Sequence, residues 1–134
     1  MPKRPANSSR PPRPAARPQP RARLWVDIHN RPGITEPGAD LLEQIIATGS
    51  LSAAARKLRF SYRRAWLLLN AMILAWQQPV ATSATGGRSG GGAQLTPFGF
   101  ALLAAYRHLQ LQLEFTLDHE TSTFTRALSP HLKK

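Results

Sequence analysis

The 134-residue sequence contains no cysteine. Disulfides, Cys-ligated zinc and cysteine nucleophiles are therefore excluded, while the redox compartment stays open. Acids are scarce, seven against eighteen Lys and Arg. Those seven (Asp27, Glu36, Asp40, Glu43, Glu114, Asp118 and Glu120) show no paired spacing for acid–base work. The four histidines, His29, His108, His119 and His131, are scattered. His108 and His119 could not share one ion on a straight helix. The expectation is a protein that is not an enzyme, with no metal and no cofactor. Long apolar runs are missing too. The most apolar run, Ala65 to Trp76, is broken by Asn70 and falls short of the roughly 20 residues a bilayer demands. No apolar stretch backs the N-terminal charges, so a secretory signal is not expected. Seven prolines between residues 2 and 20 oppose an amphipathic transit peptide. A cytoplasmic location without membrane contact is the simplest expectation.

What is abundant is positive charge, +11 formally. Residues 1–23 hold Lys3, Arg4, Arg10, Arg13, Arg17, Arg21 and Arg23 with no acid. A basic chain favours polyanions, with nucleic acid as the default partner. Residues 1–22, rich in Pro, Arg and Ala, cannot bury apolar surface and are expected to be disordered. They are either a solvated tail or a basic arm that raises DNA affinity without adding sequence preference.

Arg23–His29 alternates apolar Leu24, Val26 and Ile28 with other residues, the period of a strand, and Asn30–Gly33 has turn composition. Thr35 then caps a first helix, with Glu36 and Pro37 in its first turn. Leu41, Leu42, Ile45 and Ile46 form its apolar stripe, and Gly49 ends it. Ser50 or Ser52 caps a short second helix containing Ala53, Ala54 and Ala55. Arg59–Phe60 makes a turn, and Ser61 caps a third helix. In that helix Ala65, Leu69, Met72 and Trp76 share the inner face. At 100° per residue the opposite face carries Arg63, Leu67, Asn70 and Leu74, with Tyr62, Arg64 and Trp66 on the flanks.

Arginine suits guanine O6 and N7, and asparagine suits adenine, when such a helix lies in a major groove. Arg64, with Ser61 and Tyr62 at the positive end of the helix, suits backbone phosphate. Two arginines alone would usually be a solvated face. Their position at the start of the second helix of a helix–turn–helix gives them meaning.

From Pro79 to Thr96 two short β-prone segments flank a glycine-rich loop, the pattern of a wing. Gly86 and Gly91 have the first spacing of a phosphate-binding loop, but Gly92 and Ala93 follow where Lys and Ser/Thr are required. Thr96 caps a final helix with Pro97 at its first position. Leu102, Ala105 or Tyr106, Leu109 and Leu113 make one stripe, and Leu103, Leu111, Phe115 and Leu117 add apolar groups elsewhere. That is more apolar surface than a small core covers, so a homodimer through this helix is expected. Residues 121–134 lose the pattern and are expected to fray.

SLSAAARKL, then SYRRAW, then ATGGRSGGGAQLTPFG together resemble the N-terminal DNA-binding domain of the ModE-type molybdate-responsive transcriptional regulators, related to that of LysR-type regulators. The resemblance covers about residues 24–118. It implies a mainly α fold with a small β component, a winged helix–turn–helix with a long C-terminal dimerisation helix. The domains would be a tail at 1–22, the winged unit at 23–96, the dimer helix at 97–120 and a tail at 121–134. It implies a dimer on double-stranded DNA, with Ser61, Tyr62, Arg63, Arg64 and Asn70 in the groove and Thr85, Gly86, Gly87 and Arg88 in the wing. Full-length members add oxyanion-binding modules that sense molybdate. No such module follows the last helix here, so molybdate binding by these residues is not expected. The functional expectation is a sequence-specific transcriptional regulator linked to molybdate transport or molybdenum metabolism. The competing expectations are a non-specific architectural binder and a module that heterodimerises with a full-length regulator.

Overall fold

Four oxygen-bearing side chains start the four helices. In the computed structural model, which describes residues 19–84 and 92–132, Thr35 accepts from the Gly38 amide, Ser50 from Ala53, Ser61 from Arg64 and Thr96 from Gly99. Each cap satisfies one of the donors that a helix start leaves unpaired. The helices are α1 (Glu36–Thr48), α2 (Leu51–Leu58), α3 (Tyr62–Trp76) and α4 (Pro97–Leu128). Two antiparallel hairpins accompany them, β1 (Trp25–Ile28) with β2 (Arg31–Thr35), and β3 (Ala81–Ala84) with β4 (Gly92–Leu95). The chain is thus mainly α with a small β component. The first eighteen residues of the expected tail, and Thr85, Gly86, Gly87 and Arg88 of the expected wing tip, lie outside the described residues.

The first hairpin differs from the expected single strand and turn. The chain reverses earlier, at His29 and Asn30, whose φ angles of 50° and 59° suit a tight two-residue turn. Residues 31–35 then return as β2. Proline and glycine at positions 32 and 33 hide this strand from a reading by composition. The register slips at Gly33, so that Val26 faces Ile34 while Asp27 faces Pro32. A Cβ on Gly33 would sit 3.0 Å from the Val26 carbonyl oxygen, and the Gly33 carbonyl accepts from Trp76 Nε1 at 2.8 Å. Glycine therefore lets the hairpin approach the end of α3.

The core joins Leu41, Leu42 and Ile45 of α1, Ala54 and Ala55 of α2, Ala65 and Met72 of α3, Val80 and Leu95 at the root of the second hairpin, and Leu102, Leu103 and Tyr106 of α4. Ala54 and Ala55 are small enough to bring α2 close to its neighbours. Ile46, expected on the stripe with Ile45, is instead exposed. It stands one residue, and so about 100°, round the helix from Ile45.

α4 requires two corrections. Residues 121–128, expected to fray, continue the helix to Leu128. Thr121 and Thr125 donate back to the carbonyls of Leu117 and Thr121. Helical backbone bonds are local, so the turn persists after apolar periodicity is lost. Second, Leu102 and Tyr106, read as dimer-stripe residues, are buried inside this chain. The Tyr106 hydroxyl donates to the Leu24 carbonyl at 2.8 Å. Burial, with the Glu36 charge adding to it, pushes this phenol's pKa up. Leu109 of the same stripe is exposed and Leu113 is half-buried.

Two fastenings hold α4 to the rest. Arg107 donates through Nε to Glu43 at 2.6 Å and through Nη2 to Asp40 at 2.9 Å, both on α1. Burial opposes its charge, but the hydrogen bonds to Glu43 and Asp40 outweigh that and raise its pKa. In the first turn of α4, a Cβ at Gly99 would fall 2.0 Å from the Val80 carbonyl oxygen. Helix and hairpin root therefore meet backbone to backbone at this point.

Candidate nucleic-acid interface

The site is built around the turn between α2 and α3. Arg59 ends α2 with a left-handed φ of 59°. The Arg59 amide donates to the Arg56 carbonyl and the Phe60 amide to that of Ala55, which closes the helix tightly. Phe60 is half-buried against the core, and Ser61 starts α3 with no spare residue between. Ser61 Oγ accepts from the Arg64 amide at 3.0 Å. The hydroxyl proton of Ser61 and the amides of Tyr62 and Arg63 remain to donate outward at the positive end of the helix. That is the arrangement a phosphate oxygen requires.

Ser61, Tyr62, Arg63 and Arg64 are all exposed, so four of the sequence-predicted residues meet at one helix end. Asn70 is on the same outward face two turns on and is half-buried. The Arg64 guanidinium sits over the Phe60 ring, 4.1 Å from its centroid. This stacking turns Arg64 back toward the α2–α3 turn, while Arg63 extends from the outward face.

Sequence reading missed three residues here. Arg56, Lys57 and Arg59, at the end of α2 and in the turn, are also exposed. Together with Arg63 and Arg64 they concentrate positive charge within a few residues. The signal was in the sequence, since no acid occurs between Glu43 and Glu114. No acid stands within α2, the turn or α3 to offset these charges, which is the electrostatic footprint of a polyanion-binding surface.

The second hairpin stands beside this unit. β3 and β4 pair from Ala81–Leu95 to Ala84–Gly92. The Ala93 amide donates to the Gly49 carbonyl at 2.8 Å, and Ser50 bridges to Gly92. The hairpin is thereby tied to the start of α2. The Thr96 hydroxyl donates to the Pro79 carbonyl at 2.7 Å and closes its root. Among the described residues no His, Asp and Glu cluster could hold a metal ion, and no helix is long and apolar enough to cross a membrane.

A small helical unit with an acid-free basic helix end and a hairpin tied beside it has relatives. No family model matches the chain. It is 34% identical over 97 residues to the molybdenum transport protein ModE of Azotobacter vinelandii, covering 72% of this chain and 36% of that protein. It is 53% identical over 66 residues to the molybdenum-pterin-binding protein MopB of Rhodobacter capsulatus, covering 49% of this chain and 24% of that one. It is also 39% identical over 66 residues to the DNA-binding transcriptional dual regulator ModE of Escherichia coli K12, covering 49% of this chain and 25% of the regulator. The chain spans between about a quarter and about a third of the length of these relatives.

Proposed function

We propose that this chain is a sequence-specific, dimeric DNA-binding transcriptional regulator of the ModE type, built as a winged helix–turn–helix and tied to molybdenum transport or metabolism. The observation that carries the reading is the exposed start of α3, where Ser61, Tyr62, Arg63 and Arg64 meet beside Arg56, Lys57 and Arg59. α2 and α3 are the helix–turn–helix and α3 enters the major groove. Arg63 and Asn70 read base edges. Ser61, Tyr62 and Arg64 hold phosphate, and Arg56, Lys57 and Arg59 join them. The β3–β4 hairpin is the wing, and Thr85, Gly86, Gly87 and Arg88 at its tip meet the flanking backbone. The dimer forms through the part of α4 beyond Arg107, where Leu109, Leu111 and Phe115 are exposed. The molybdenum link rests on the names of the relatives.

Selection of bound duplexes from a random library, followed by gel shifts at two salt concentrations, tests this reading. A preferred sequence, bound far more tightly than random DNA, is expected. Equal affinity for every duplex would overturn sequence specificity and leave an architectural binder. Light scattering should give twice the chain mass, and a strictly monomeric chain would overturn the dimer.

A further inference from the structure

The outward face of α3 is not simply polar. Tyr62 is 58% exposed, Trp66 and Leu67 48% each, and Leu74 51%. The chain's own fold covers only about half of each, and Leu67 stands at the rim of an apolar groove that α3 forms with the first hairpin and the start of α1. Leu67 is the one framed by the proposed base readers. It lies four residues after Arg63 and three before Asn70, so the three side chains form one row on neighbouring turns, with Cβ atoms about 5–6 Å apart. A partner protein covering Leu67 would have to accept Arg63 and Arg64 on the same helix as well, with Arg56, Lys57 and Arg59 at the preceding turn and Glu36 as the acid on the groove that Leu67 borders. A duplex meets both demands, with phosphates for the cations and one apolar group on the floor of the major groove, the C5-methyl of thymine.

We infer that Leu67 reads thymine through its 5-methyl group, at a base pair between those contacted by Arg63 and Asn70. The inference rests on the proposed function and adds a ligand feature to it. The preferred site must contain thymine in the bases facing α3, and cytosine there is rejected for want of the methyl.

The test uses the full chain and the preferred duplex from the selection. Each thymine is replaced in turn by deoxyuridine, which removes the methyl and leaves the pairing intact. Affinity is read by fluorescence anisotropy. One position in each half-site should lose about three- to fivefold, the worth of one buried methyl group. With Leu67→Ala the same replacement should have no effect, while the variant's affinity for the thymine duplex falls by at least that factor. Because Leu67 is half-exposed, the variant should fold, and an unchanged circular dichroism spectrum and thermal midpoint check that it does. Insensitivity to every deoxyuridine, or a loss that persists in Leu67→Ala, overturns the inference and leaves the regulator reading standing. Loss of dimer mass in Leu67→Ala without any deoxyuridine effect would assign the residue to a protein contact instead. If the selection yields no preferred duplex, both the reading and the inference fall.

Discussion

α3 and the distal half of α4 both leave large apolar side chains in solvent, yet the charge around them is opposite. On α3, Tyr62, Trp66, Leu67 and Leu74 accompany Arg63 and Arg64. Beyond Arg107, α4 exposes Leu109, Leu111, Phe115 and Phe124 beside Glu114, Asp118 and Glu120. A polyanion drawn to the first surface is repelled by the second. Apolar exposure alone therefore names no partner, and it is the neighbouring charge that leads us to propose nucleic acid for one surface and protein for the other.

The contrast can be broken most forcefully inside α4 itself. Tyr106→Ala, in the half that belongs to the core, should cost about 3–5 kcal/mol in urea unfolding, through a cavity and an orphaned Leu24 carbonyl. Next comes the reading face, where Arg63→Ala should cost about 1–3 kcal/mol at one base pair of the preferred site and relax specificity there. Asp118→Asn on α4 should leave that specificity untouched in the same gel shifts. Loss of the α3 cap in Ser61→Ala should cost about 1 kcal/mol of stability by thermal unfolding. It should also weaken binding to all sequences alike, since a phosphate donor goes with it. Smallest is Leu111→Ala. At dilutions where the chain is monomeric it should change stability by no more than about 0.5 kcal/mol, and a loss that grows with protein concentration would reveal the partner surface.

The helix starts were legible because their signals are local. Thr35, Ser50, Ser61 and Thr96 each act within three residues, and Gly49 ends α1 at a φ of 70° that glycine adopts freely. The strand β2 was not legible, because Pro32 and Gly33 look like a turn, and the close approaches that call for glycine come from Val26 and Ile28 across the hairpin and from Trp76 far along the chain. The inward stripe of α4 was seen, but periodicity cannot tell a chain's own core from a partner's. Leu102 and Tyr106 thus read as a seam although Leu24 and the rest of the core receive them. The basic residues flanking the site, Arg56, Lys57 and Arg59, gained meaning only when the turn brought them beside Ser61.

Gly99 has a mechanical consequence. With no side chain between α4 and the Val80 carbonyl, the joint holds no soft material that could absorb a shift. α4 is a rod about 48 Å long. Seen from its free end it is a lever, with its fulcrum at the hairpin root and a strut at Arg107. Tilting the rod by roughly 5° would move its far end by about 4 Å. A load on the distal half of α4 would therefore bear first on the Arg107 strut and then on the hairpin root.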